Sequence, residues 1–293
     1  MSDSNLVLDS AGWSRVVTGD GSITLAHPLH GQTCHSRAGA WTEARERYAL
    51  ACRVRERALE LQRAGRATFH LLDVGTGLGL NIAAALESLD GTGVALDVVT
   101  LESERSVIEA TLTLGSTAIP ELERHHGVVR RSLARALATI DARESHDGSA
   151  RAQAGEGGEL ATEACVELGQ GHVRLHLGDG RATIHRIERN PVFDAVFLDA
   201  FSPGVDASLW EPDFISEIAA RMAPASLLST YTVSIGVRAA LLNAGLSVGL
   251  GERVGTKASG TLAGKGSAIE ALDSRTQRRI EARASVLRHE IRP

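Results

Sequence analysis

Two rhythms of apolar and polar positions alternate along most of the chain. Short, nearly continuous apolar runs occur at Phe69–Val74, Leu96–Leu101 and Phe193–Asp199, and more mixed strand-like runs at His172–Leu177 and Ser226–Thr230. Runs of this length and continuity read as strands buried on both faces. Between them, apolar residues recur every three to four positions, which is the helical period. This predicts helices over Leu80–Leu89, Arg181–Glu188, Pro212–Met222 and Ser234–Ala244, and a helical stretch over 104–140 broken near Gly115 and Pro120. Two further short strands are expected near Leu246–Leu250 and Gly260–Ala263. Strand–helix alternation of this kind calls for an α/β fold, Rossmann-like, with a mostly parallel central sheet flanked by helices.

The flanks depart from that rhythm. The segment VVTGDGSITLAHP sets a Gly-Asp-Gly turn between two β-prone runs, a hairpin signal, and residues 41–64 have helical periodicity with a charged face. Residues 1–66 are therefore expected to form an N-terminal extension packed on a catalytic domain over 67–270. Residues 142–160 are rich in Gly, Ala and Ser and strongly polar, and read as a flexible insertion. Residues 271–293 read as a charged helix or tail.

Composition narrows the function. Aromatic residues make up only 3% of the 293 residues, so the core must be built mainly from Leu, Ala, Val and Ile. The net charge of −5 confines any nucleic-acid contact to a local basic patch. Cys34, Cys52 and Cys165 have no metal-binding spacing, so no metal is expected, and they fit a reducing cytoplasm. No apolar run of about 18 residues exists, and the N-terminus lacks a signal-peptide pattern, so no membrane association is expected.

The first candidate chemistry is FHLLDVGTGLGLN, where a strand ends in Asp73 and Gly75, Gly77 and Gly79 follow. Glycines there let the chain turn sharply and let a ligand approach the backbone, and the next helix opens toward it. NAD, FAD and S-adenosyl-L-methionine (SAM) proteins share such a unit. Glu102, at the end of the second strand, suits the two hydroxyls of an unphosphorylated ribose. Asp179, with Gly178 after the third strand, is placed for an adenine amino group, although the same Asp reads equally as a helix N-cap. The three together favour SAM over NAD. At the reacting end, VFLDAFSPGVDASLW puts Asp199 at the carboxyl end of the fourth strand, where open α/β sheets bind ligands. A carboxylate there can orient an amine and take its proton. Ser202 and Pro203 would shape the wall behind it, and Trp210 is a candidate surface for stacking a base, or simply core.

These residues resemble the methyltransferase domain of the MnmC-like family, enzymes that make 5-methylaminomethyl-(2-thio)uridine in tRNA. The resemblance rests on VFLDAFSP followed by LW, on STYTVSIGVRAALLNAG, on GTGLGLN with Asn81, on TGDGSITLAHPLHGQTCHSRAGAWTEA and on VGTKASGTLA. It covers roughly residues 15–265 apart from the insertion. It implies a class I SAM-dependent methyltransferase fold, SAM as cofactor and tRNA as substrate. It also implies that Asp199, Phe201, Ser202 and Pro203 line the aminomethyl group and the methionine end of SAM. Tyr231 and Thr232 would lie beside them, His35, Ser36 and Glu43 would close over the cofactor, and Lys257 would contact substrate. The chain departs from the family pattern at Asp206-Ala207, where Asn-Pro is common, and at Cys34, where an aromatic residue is common. Two-part members add an FAD-dependent oxidase module. This chain is too short to hold one, so it is expected to methylate an aminomethyl group that upstream tRNA-modifying enzymes supply.

RNA phosphates could meet the cluster Arg124, His125, His126, Arg130, Arg131 and Arg135, which reads equally as a solvated helix face. Arg253, Lys257 and Lys265 form a sparser basic set, and Arg238 adds a cation near the site. Two other functions compete with tRNA methylation. One is methylation of a small-molecule amine at the same Asp199. The other is binding of a SAM-like nucleoside by a relative of the aminopropyl transferases.

Overall fold

The computed structural model describes residues 12–114, 119–154, 163–190, 192–254 and 259–290. The arm at its start is the expected hairpin, β1 (Ser14–Val17) paired antiparallel with β2 (Ile23–Ala26). Helix α1 (Ala40–Glu43) then widens into a π-helical segment, Ala44–Leu50, before α2 (Val54–Arg63). A residue with positive φ, Arg53 at 51°, separates the two, so the single helix expected over 41–64 is two helices with a swing between them.

The α/β layer follows: β3 (Thr68–Val74), α3 (Leu80–Leu89), β4 (Ala95–Glu102), α4 (Arg105–Thr113), α5 (Pro120–Ala154), β5 (Glu163–Leu168), β6 (Gly171–Leu177), α6 (Gly180–Thr183), β7 (Phe193–Leu198), α7 (Pro212–Arg221), β8 (Met222–Thr230), α8 (Ile235–Asn243), β9 (Ser247–Leu250), β10 (Thr261–Gly264) and α9 (Ser274–Glu290). The larger sheet runs β5-β6-β4-β3-β7-β8-β10-β9. Strands β6, β4, β3, β7 and β8 are parallel, and β5 and β10 run antiparallel to their neighbours. Strand order reverses at β3, which has β4 on one side and β7 on the other. Such a reversal opens a crevice at the carboxyl ends of the strands.

Burial explains the order of the layers. Phe69, Leu71, Leu72 and Val74 of β3 are fully buried because both sheet faces are covered. One apolar layer joins the sheet to α3, α5, the N-terminal helices and Trp13 of the arm, and a second lies beneath α7 and α8. Helix α9 packs on α8 through Ile280, Ala284 and Leu287 against Ala239.

Three points depart from what the sequence leads one to expect. The insertion expected over 142–160 continues α5 as helix through Ala154, and 155–162 lie outside the described residues. After Ile140 the sequence offers no large apolar residue to carry a helical period, so periodicity misses the extension, but its Ala, Arg, Glu and Gln are good helix formers. Strand β5 was not expected. Its Ala164, Val166 and Leu168 alternate with the polar Glu163 and Glu167, and Gly169-Gln170 turns it back onto β6, Leu168 opposite Gly171. The helix expected over Arg181–Glu188 is a short α-turn followed by a 3₁₀ turn, Ile184–Arg186.

Candidate active site

The carboxyl ends of β3, β4, β6, β7 and β8 open into a cavity of about 380 Å³. Its walls are Gly75 and Gly77 after β3, Glu102 at the end of β4, Gly178 and Gly180 after β6, Asp199, Ala200 and Phe201 after β7, and Tyr231 and Val233 after β8. The arm closes the cavity with Gln32, Thr33, Cys34, His35 and Ser36, and the first helices add Glu43 and Arg47.

Gly75 makes this convergence sterically feasible. Its φ is +88°, and a Cβ built there would lie 2.6 Å from the carbonyl oxygen of Asp199. A side chain would have to push the end of β7, and Asp199 with it, away from β3. Gly75→Ala is therefore expected to cost about 1–3 kcal/mol of stability, lowering the melting temperature by several degrees. An unaltered melting curve would show that the turn relaxes freely.

Three buried carboxylates face the cavity, those of Glu43, Glu102 and Asp199. Glu102 is 7% exposed. Its Oε2 accepts the Gly77 amide at 2.8 Å and its Oε1 the Glu104 amide at 2.9 Å. Burial pushes its pKa up to about 6. The Asp199 side chain is 7% exposed. Its Oδ1 accepts the Tyr48 phenol, its Oδ2 accepts Asn81 Nδ2 at 2.8 Å, and His35 Nε2 lies 3.9 Å from Oδ2. Burial, reinforced by the charge of Glu43, holds the Asp199 pKa well above the usual carboxylate range.

The π-helical segment supplies much of this environment. Widened turns of this kind recur at functional sites because they re-aim side chains. Here Tyr48 reaches Asp199, while Arg47, 1% exposed, puts its Nε 3.3 Å from Glu43 Oε1. Glu43 Oε2 in turn accepts the Ser36 amide at 2.6 Å, and the Arg47 carbonyl accepts the Ser229 hydroxyl of β8. The arm is thus tied to the sheet through the site.

The donor set fits one kind of ligand. Raised carboxylate pKa values mean that the cavity holds negative charge at a cost, and a bound cation relieves that cost. Glu102 keeps lone pairs for hydroxyl donors, and positive-φ glycines expose backbone to a flat or extended ligand. A cationic nucleoside such as SAM meets all three conditions.

Comparison with known proteins agrees. Residues 158–266 match a family model described as S-adenosyl-L-methionine-dependent methyltransferase. An uncharacterized protein of Methanocaldococcus jannaschii is 28% identical over 253 residues, covering 85% of this chain and 59% of that protein. The tRNA 5-methylaminomethyl-2-thiouridine biosynthesis bifunctional protein MnmC of a Caulobacter species is 27% identical over 238 residues, covering 75% of this chain and 33% of that protein. The chain thus spans less than two thirds of the length of each of these two relatives. The crystal structure of MnmC2 from Aquifex aeolicus superposes with a TM-score of 0.72 at 27% identity, over 93% of this chain and 77% of that one. The chain is a SAM-dependent methyltransferase that is similar to MnmC proteins.

In this methyltransferase the expected residues divide into those that reach the cavity and those that do not. Gly75, Gly77, Glu102, Gly178, Asp199, Phe201, Tyr231, His35, Ser36 and Glu43 line it. Asn81 reaches it through its bond to Asp199. Asp73 lies beneath, fully buried and accepting the Thr100 hydroxyl at 2.8 Å, with burial pushing its pKa up to about 7. Gly79 answers a packing need: a Cβ there would lie 2.7 Å from Val129 of α5. Ser202 bonds Gln32 across the cavity mouth at 3.2 Å. Pro203 is half-buried in the turn that follows, outside the cavity lining.

Others need correction. Trp210 is core: 5% exposed, it donates its indole N–H to the Phe201 carbonyl at 2.8 Å and lies edge-on to Tyr231, so it braces the wall and offers no face for stacking. Thr232 is buried and caps, its hydroxyl accepting the Ser234 amide and its carbonyl the Thr261 hydroxyl. Asp179 is the N-cap of α6, accepting the Arg181 amide at 2.9 Å, and its carboxylate also holds the Arg181 guanidinium, 2.7 Å away at the nearest. Those bonds keep its pKa below the usual range. Lys257 lies outside the described residues.

The basic cluster on α5 does not form a free patch. Arg130 is tied to Glu123 and the Leu114 carbonyl, His125 to Asp90, and His126 is buried against the Leu78 carbonyl. Arg124 and Arg135 lie within 3.8 and 3.9 Å of Asp90 and Glu167. Arg131 is exposed, and so is Arg253 of the sparser set. Lys265 donates to the Ala219 and Met222 carbonyls, and the buried Arg238 braces Gly260 and Thr261.

Tyr48 and Arg47 escaped the sequence reading. Glu43 and Arg47 have ion-pair spacing on a helix, which was available as a signal. Nothing local signals that Tyr48 meets Asp199 across 151 residues of chain.

The Glu102 pKa gives a pH test. Protonation removes an acceptor and a negative charge. SAM affinity is therefore expected to be level above about pH 7 and to fall as pH drops through about 6. Affinity that stays flat from pH 8 down to 5 would remove Glu102 from the ligand set.

Proposed function

We propose that this methyltransferase methylates the amine of 5-aminomethyl-(2-thio)uridine at the wobble position of tRNA. The observation that carries the reading is Asp199, a buried carboxylate at the sheet's switch point whose two oxygens are each fixed by one donor, Tyr48 and Asn81. The names of the MnmC relatives support a tRNA substrate.

Each carboxylate oxygen has two lone pairs, so after Tyr48 and Asn81 are served both oxygens can still accept. An alkyl amine arrives mostly as its ammonium ion, which has no lone pair for reaction. Asp199 binds that ion and takes one proton on an oxygen, and the freed amine then turns its lone pair from Asp199 into the cavity. Its raised pKa makes it a better acceptor than an ordinary aspartate. Glu102 is assigned to the ribose hydroxyls and the glycine turn to the backbone contacts of the nucleoside. When bound, SAM supplies an electrophilic methyl group on a cationic sulfur. Phe201 and Tyr231 wall the reacting end, and the Tyr231 hydroxyl is anchored on the Ala200 carbonyl at 2.9 Å.

The rival reading is a small amine at the same carboxylate, favoured by the acidic net charge of −5. Labelled SAM incubated separately with undermodified tRNA and with polyamines separates the two. Label in tRNA is expected. Label in the polyamines alone would replace this reading with its rival.

A further inference from the structure

The correction at Trp210 leaves a nucleobase substrate without the stacking surface that single-stranded RNA readers use. A different one stands at the cavity mouth. The turn after β2 carries His27 and His30, whose rings stack with centroids 3.8 Å apart and planes 9° from parallel. Both meet the cavity-lining Phe201 edge-on, at 5.5 and 4.9 Å, and Trp13 closes the cluster behind His27 at 4.9 Å. In a chain with so few aromatic residues, four rings in one wall are a concentration.

The stack is held in place before any ligand arrives. The Leu29 amide donates to His27 Nδ1 at 3.1 Å, and the Gln32 amide donates to His30 Nδ1 at 3.3 Å. Each ring is thereby fixed in orientation by backbone. His27 is buried, whereas His30 is exposed at the outer end. Apolar side chains also stand open here: Leu29, next to His30 in the turn, is 90% exposed, and Val233 of the cavity lining is 45% exposed. Exposed side chains of this kind grouped at a site mark a contact surface. The Gln32–Ser202 bond joins the turn to the loop after Asp199, so the stack and the reacting carboxylate share one support.

Resting on the tRNA reading above, we infer that His30, with Leu29 beside it, is a stacking platform for an unpaired nucleobase flanking the modified uridine. Partial desolvation and the neighbouring His27 hold the His30 imidazole below its ordinary pKa, which disfavours its charged form. Its contribution is contact with a base face, not with a phosphate. The platform selects a splayed single-stranded loop over a free amine, and it works by holding RNA while Asp199 acts on the amine.

The test uses the full chain with His30→Ala and His30→Trp, tRNA carrying the 5-aminomethyl group, and saturating SAM. His30→Ala is expected to raise KM for tRNA about 5- to 100-fold, the usual loss for one stacked base. The kcat, the SAM affinity and the slope of log affinity against log salt should stay as in wild type. His30→Trp should restore KM. A purely structural role would instead move SAM affinity and kcat together, and a phosphate contact would lower the salt slope by about one. Either result overturns the inference, as does tRNA methylation with an unchanged KM in His30→Ala, which leaves the tRNA reading standing. No tRNA methylation by the wild type overturns both.

Discussion

Asp199→Asn is expected to lower methyl transfer by about 10²–10⁴-fold, the range for a lost general base, while SAM affinity stays close to that of wild type. The substitution keeps the shape, and the remaining carbonyl oxygen still accepts one of the bonds from Tyr48 and Asn81. It removes the negative charge that binds an ammonium and the site that takes its proton. Raising the pH should recover part of the rate, because free amine then becomes abundant without help from the protein. The sign of that recovery is specific. A variant that merely misfolds the β7 turn would lose SAM binding as well and would gain nothing at high pH. Near wild-type turnover at neutral pH in Asp199→Asn would make the carboxylate structural and place the proton acceptor elsewhere.

The second large effect is expected at Glu102. A hydrogen bond to a charged group contributes about 1.5–3 kcal/mol, so Glu102→Ala should weaken SAM binding by about 10- to 100-fold in calorimetry. Part of that loss comes through the turn itself, since Glu102 also holds the Gly77 amide. Asp179→Ala should cost less, because that carboxylate must first release the Arg181 guanidinium. Equal losses at the two positions would mean that the Asp179–Arg181 pair opens freely. No loss at Glu102 would reassign the ribose.

Much of the fold was legible as period and run length. Helix α3 falls on its expected residues, Leu80–Leu89, β3, β4, β6 and β8 each contain their expected runs, and β7 covers all of its run but Asp199, because parallel strands covered on both faces are rich in apolar residues. Elements with weaker patterns escaped. The edge strand β5 alternates with charged residues, and beyond Ile140 the sequence of α5 has no large apolar residue to give it a period. In the site, residues that follow a strand end were legible because the fold itself brings strand ends together: Gly75, Glu102 and Asp199 all line one cavity. Residues that depend on how a helix is wound were not. Tyr48 faces Asp199 only because Ala44–Leu50 is π-helical, and no propensity signals that winding. Trp210 and Asp179 show the opposite failure. Both stand in motifs of the right kind, yet the Phe201 carbonyl and Arg181 already satisfy their polar groups.

The central claim is that an amine on a tRNA base receives the methyl group, and nucleoside mass spectrometry tests it most directly. Undermodified tRNA bearing 5-aminomethyl-(2-thio)uridine is incubated with the protein and SAM, digested, and compared with a sample whose amines were first acetylated. Conversion of that nucleoside to its methylaminomethyl form, a gain of one CH₂ on the amine, is expected in the first sample and not in the second. A methyl group on ribose or on another base, or equal incorporation in the acetylated sample, would contradict the account.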